Sequence, residues 1–165
     1  MSRACSTKRK LLRSTLFMLA LGLGSAAAAE HADHEMTLAL AKKLMASAES
    51  EASRLAAPGA AIAIVDDGGH LVMLERLDGT FPAASAVSTE KARTAAVFRM
   101  PTENLETAIK NGRNALLGVA VMTPLQGGVP ILRGGHVVGA VGVSGAASAA
   151  QDTEIAKAVA VSVAQ

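Results

Sequence analysis

Two stretches of the chain repeat one pattern. "DDGGH" ends at His70 and "LRGGH" ends at His136, each between apolar runs. Imidazole is the commonest protein ligand for metals and titrates near neutrality. His70 and His136 are therefore the first candidates for chemistry. The same triplet has a plain conformational reading: glycine supplies the positive φ of a tight hairpin, and the next residue only begins the returning strand. Sequence alone sets the two tips no closer together than any other loops.

Other constellations are weaker. Ser88 and Lys91 match Ser-x-x-Lys, but the partner motifs Ser-Asp-Asn and Lys-Thr-Gly that complete such a site do not occur. "GVSGA" around Ser144 misses the Gly-x-Ser-x-Gly pattern by one position. Gly127 and Gly128 in "LQGGVPI", with the strand end at Ser144, could wall a pocket whose backbone N–H groups hold a carboxylate. The alternative is that these glycines make a bend, and that Gly142 and Gly145 allow close packing. Asp152 and Glu154 suit the positive end of a helix; iron capture by the pair is the sharper reading.

Charge narrows the classes. Residues 1–29 have a basic start, an uncharged run from Ser14 and an Ala-rich end. That is the layout of a secretory signal peptide, and its apolar core is short of the roughly 20 residues that span a membrane. The segment holds Arg3, Lys8, Arg9, Lys10 and Arg13 and no acid. Of 16 bases, 11 then remain against 14 acids, a formal charge of −3 on the processed chain. Nucleic-acid binding loses its electrostatic basis. Its stacking platforms are few as well, since Phe81 and Phe98 are the aromatics beyond the leader. Cys5, the one cysteine, lies in the leader, so a disulfide or a thiolate site is not expected in the rest.

Hydrophobic spacing gives the elements that must position these groups. After a polar lead (30–36), a helix is expected to about Ala57, capped by Thr37 and ended by Pro58-Gly59. Strands over 60–66 and 70–78 form a hairpin. Period-two alternation then puts His70 and Arg76 on one face and Met73 on the core face. A helix over 83–99 follows, then one capped by Thr102. A glycine-rich loop (123–128) leads to a second hairpin across Gly134-Gly135. Ser148 with Gln151 resembles a capping box opening a last helix to about Val163. The order α-ββ-α-α-ββ-α, with tight turns between strands, is an α+β domain over 37–165. Its Ala and Gly density buries little area per residue, which favours association.

"GAAIAIVDDGGHLVMLERLDG", "STEKARTAAVF", "LQGGVPILRGGHVVGAVGVSGA" and "QDTEIAKA" together are similar to the GlcG/HbpS family, over roughly Leu38 to Ala160. The resemblance implies a profilin-like fold with a five-stranded antiparallel sheet and flanking helices. The fifth strand is then expected near Leu116 to Met122. It implies homo-oligomers, octamers in some members, and in some members haem binding or haem degradation. With no Tyr, and no Cys beyond the leader, the axial ligands for a haem iron come down to His and Met. His70 is the first choice and His136 the second. Arg76, Lys91 and Arg93 are candidate partners for propionates, with surface ion pairing as the other reading. Besides an exported oligomer that binds haem or a related tetrapyrrole, two readings stay open. One is an enzyme or enzyme accessory acting on a small organic acid at a subunit interface. The other is a structural oligomer serving a membrane sensor protein.

Processing decides one further site. Cleavage after Ala28 would leave Ala29-Glu30-His31 at the terminus. A free amine, two amides and the His31 imidazole suit square-planar Cu(II) or Ni(II); otherwise the lead is a solvated tail. Mass spectrometry of the exported protein is expected to find an N-terminus at Ala29 or Glu30. An intact Met1 or Ser2 terminus would refute export.

Overall fold

The computed structural model describes residues 35–162. The expected leader and His31 lie outside the described residues. Helix α1 (Leu38–Arg54) is followed by strands β1 (Ala61–Asp66) and β2 (Leu71–Arg76). Helices α2 (Ala84–Phe98) and α3 (Thr102–Lys110) come next, then a 3-10 helix (Asn114–Gly118). Strands β3 (Gly128–Arg133) and β4 (His136–Ser144) lead into α4 (Ala149–Val161).

Thr37 caps α1 as expected, its Oγ1 accepting from Leu40 N at 3.1 Å. At the start of α4, Ser148 Oγ accepts from Gln151 N at 3.1 Å, and Gln151 Oε1 accepts from Ala147 N at 2.8 Å. The reciprocal bond of a capping box thus lands one residue before the cap. Thr102 does not cap α3. Pro101 holds that position, and Thr102 Oγ1 turns away to accept from Gly128 N at 2.9 Å.

The strands form one antiparallel sheet in the order β2-β1-β4-β3. It has four strands among the described residues, so the expected fifth strand near Leu116 to Met122 is corrected. That segment spends its amides locally: Leu116 N donates to Arg113 O, Val119 N to Leu116 O and Met122 N to Val119 O. Successive i→i+3 turns of this kind leave no row of donors to offer a sheet edge.

The two faces of the sheet differ in grain. One carries Ile62, Ile64, Ile131, Val141 and Val143, packed with Leu44 and Met45 of α1 and Ile155 and Val159 of α4. Partly buried Met73 joins this face. The other carries Ala63, Val65 and Ala140 against Ala92, Ala95 and Ala96 of α2. On this face the α2 backbone lies directly on the sheet. A Cβ at Gly142 would collide with Ser88 O and sit 2.6 Å from Ala92 N. One at Gly128 would collide with Lys91 O.

The hairpins share Gly-Gly-His but not a geometry. In the second, Arg133 pairs with His136 across a two-residue turn, and Gly134 and Gly135 both have positive φ, 56° and 81°. That is the conformation of a type I′ hairpin. In the first, Asp66 N donates to His70 O at 3.0 Å and Gly69 N to Asp66 O at 3.1 Å, and of the two glycines Gly69 has positive φ, 81°. Three residues thus lie between the closing pair Asp66 and His70, a turn ended by a left-handed residue. The pairing then slips: Ile64 faces Met73 while Val65 faces Leu71, leaving Val72 over. Such a bulge inverts alternation. Leu71, not His70, therefore falls on the outer side with Leu74 and Arg76.

The Gly142 contact yields a stability prediction. Gly142→Ala must lift α2 from the sheet and is expected to cost about 3 kcal/mol. Urea denaturation measures it. Gly118→Ala, where no atom lies within 4 Å of the new Cβ, is expected to stay within about 0.5 kcal/mol of wild type.

Candidate functional site

Chemistry-bearing residues gather at two ends of the sheet. At the end where β4 runs into α4, the Lys91 ammonium is buried beneath the sheet's last residues. It donates to Val143 O at 2.9 Å and to Asp152 Oδ2 at 3.0 Å. Its side chain is 4% exposed and that of Asp152 7%. Asp152 Oδ1 accepts from Ala146 N at 3.0 Å. Gly127, at φ 113°, closes over the pair, and a Cβ there would stand 3.0 Å from Lys91 Nζ and 3.1 Å from Asp152 Cβ. Lys91 therefore ties α2, β4 and α4 together from inside, away from any surface ligand.

The loop before β3 is committed in the same way. Gln126 N donates to Glu106 Oε2 at 2.8 Å, Thr123 N to Thr94 Oγ1 at 2.9 Å and Gly128 N to Thr102 Oγ1. The hydrogen bond from Lys110 holds the Glu106 carboxyl below its ordinary value, against a smaller rise from desolvation, and the Gln126 amide adds to the lowering. The Gly128 amide, already donating to Thr102, is not free to line an oxyanion wall. Both glycines also make close contacts: a Cβ at Gly127 would stand 2.7 Å from Val143 O. Ser144 is buried opposite Ala61. Ser88 Oγ donates to Ser85 O at 3.0 Å, so Ser88 and Lys91 are not a nucleophile pair. Asp152 and Glu154 do not converge either: Glu154 is exposed and accepts from Arg54 at 3.3 Å.

Both hairpin tips stand at the opposite end of the sheet, because β1 pairs antiparallel with β4 and Asp66 lies opposite Gly139. His70 and His136 are thus neighbours in layout, with β1 between their strands. His136 heads β4 in register with Arg133. His70 is 83% exposed, and its ring is fixed from below. Asp66 Oδ2 meets His70 Nδ1 at 3.1 Å, and Asp66 Oδ1 accepts from His70 N at 2.8 Å. Arg93 crosses beneath the turn: a Cβ at Gly69 would be 2.8 Å from Arg93 Cγ and 3.3 Å from Val97 Cγ1. Beside His70, the outer face shows Leu71, 49% exposed, and Val97, 44% exposed. An imidazole, two exposed apolar side chains and an arginine thus lie around the tip, with His70 and Leu71 on opposite sides of β2. Arg76 stands at the far end of β2, about 20 Å along the strand.

Sequence reasoning missed Asp66. Its spacing from His70 across a glycine turn was the available signal, since Asp side chains bond to backbone groups within such turns. The buried place of Lys91 was also visible in outline. It falls in the stripe Ala84, Ser88, Lys91, Ala92, Ala95 that α2 turns inward. Lys91→Met would leave the Asp152 carboxylate buried without its partner. The expected cost is about 3–5 kcal/mol in chemical denaturation, with the His70 hairpin unperturbed in amide spectra.

Known proteins are similar to this chain in sequence and fold. GlcG of Escherichia coli K12 is 49% identical over 83 residues, 50% of this chain and 62% of that protein. The match thus spans less than two thirds of GlcG. The structure of a double mutant of Streptomyces reticuli HbpS superposes with a TM-score of 0.72 at 29% identity, covering 78% of this chain and 87% of that one. The PduOC haem complex shares the fold at 23% identity, with a TM-score of 0.68 over 78% of this chain and 95% of that one. The family model described as haem degrading protein HbpS-like matches residues 36–160, and the chain belongs to that family.

Proposed function

We propose that the protein is an exported, oligomeric binder of haem or a related tetrapyrrole, and that the β1–β2 tip is its ligand site. The observation that carries the reading is the Asp66–His70 pair. A carboxylate accepts and cannot donate. In the neutral ring the Nδ1 proton then faces Asp66, which leaves the Nε2 lone pair on the exposed side. A neutral imidazole with its second nitrogen held by a carboxylate is the usual form of a metal-ligating histidine. Leu71 and Val97, on the α2 side of the tip, offer an exposed apolar surface, and Arg93, whose Cγ passes under Gly69, offers a charge for a propionate. Haem, when bound, would supply the iron, and His70 would hold it through Nε2.

The family description and the PduOC haem complex support the same ligand class. The HbpS-like fold supports association, and the open tip gives association a purpose. One protomer leaves Leu71, Leu74 and Val97 exposed, and a second copy would cover much of such a surface. No described helix is long and apolar enough to cross a membrane.

Hemin titration of the processed protein tests the proposal. A Soret band is expected on addition, and His70→Ala is expected to abolish or shift it while light scattering shows the same oligomer mass. An unchanged spectrum would move ligation to His136 or away from haem.

A further inference from the structure

We infer that Asp66, helped by Gly68, is the positioning residue that sets the tautomer and orientation of His70; the inference rests on haem ligation by His70 as proposed above. Three hydrogen bonds join the two residues. Asp66 N donates to His70 O, His70 N donates to Asp66 Oδ1, and His70 Nδ1 meets Asp66 Oδ2. The first two fix the hairpin closure and with it the distance between the α-carbons. The third uses the carboxylate oxygen that remains. One side chain thus couples the turn to the ring, and the imidazole cannot rotate without giving up that bond.

Gly68 supplies the floor. A Cβ at this position would lie 2.9 Å from both Cε1 and Nδ1 of His70 and 3.3 Å from Asp66 Oδ1. The ring leans on a bare α-carbon. Gly68 lies outside the positive-φ positions, so its backbone does not itself demand glycine. What the added methyl would displace is the imidazole, an exposed side chain, and not the turn. The two residues control different things. Asp66 decides which nitrogen carries the proton, and Gly68 decides whether the ring can reach Asp66.

The consequence for iron is direct. Ligation needs the Nε2 lone pair, which exists only while the proton stays on Nδ1. Asn at position 66 can still accept from His70 N through its amide oxygen. Its NH2 then faces Nδ1, which must accept, and the proton moves to Nε2. Partners of this kind behind a metal-bound histidine are worth about 10–100-fold in metal affinity.

The experiment has an apoprotein arm and a hemin arm. Nitrogen-15 spectra of the His70 ring in the apoprotein are expected to show the Nδ1-H form in wild type and the Nε2-H form in Asp66→Asn. Hemin affinity is expected to fall about 10–100-fold in Asp66→Asn and to fall in Gly68→Ala, at unchanged oligomer mass. Should Asp66→Asn fail to fold, Gly68→Ala carries the test, because it should lose the Nδ1-H preference with the turn intact. A Soret band lost in His70→Ala but unchanged in Asp66→Asn and Gly68→Ala would overturn the positioning role and leave the ligation reading standing. A Soret band indifferent to His70→Ala would overturn ligation, while the apoprotein spectra would still decide the tautomer. The same ring tautomer in wild type and Asp66→Asn would overturn the inference outright.

Discussion

The structure depends on one close contact: the backbone of α2 rests on the backbone of the sheet. Gly142 and Gly128 have no side chain to hold the helix away, and Ala63 and Ala140 have only a methyl. The helix answers with Ala92, Ala95 and Ala96. A layer this thin has little apolar area, so its stability comes from contact density and not from large side chains. It also has no room for error, because a methyl added at the tightest points meets peptide atoms.

Both ends of the molecule follow from that contact. Toward α4, the low seat of α2 drives the Lys91 side chain under Gly127, where water is excluded. A buried ammonium must be paired, and Val143 O and Asp152 provide the partners. Toward the hairpin tips, the same helix passes so near Gly69 that Arg93 and Val97 become the floor of the first turn. The ion pair and the imidazole site are thus separate in chemistry but joined through one rigid element. Lys91, two residues from Arg93 along α2, serves the interior while Arg93 serves the surface.

The element order, both hairpins, Thr37 and the Ser148 cap were legible in the sequence because each rests on local chemistry. The small-large alternation of "AIAIV" and "AVGV" was legible too, but only if volume is read as well as polarity. Scored as apolar or polar, Ala63 and Ile64 look alike, and the thin face is invisible. The fifth strand came from resemblance, and the closed turns after Arg113 displaced it. The face shared by His70 and Arg76 came from strict alternation, and the bulge at Val72 broke it. The second hairpin slips in the same way, with Ile131 facing Gly139 and Leu132 facing Val137, yet the two Gly-Gly-His turns differ in the residue that precedes the glycines. Asp67 extends the first connection by one residue, and Asp66 closes it with its own carboxylate. Tertiary pairing put Lys91 on Asp152, 61 residues away, and no local rule reaches that far.

The thin layer also bears on where a large flat ligand could go. The small-residue face is filled by α2 and the large-residue face by α1 and α4. Among the strands, the large apolar side chains left exposed are Leu71 and Leu74 on β2 and Leu132 at the β3–β4 tip. All three lie on an edge strand, where the helices stop covering the sheet. A tetrapyrrole cannot enter between layers whose backbones already touch. What the fold leaves open to one is the margins, β2 with Leu71 and Leu74 and the β3–β4 tip with Leu132. In this fold, close packing inside and apolar side chains left open at the margins of the sheet are two results of the same small residues.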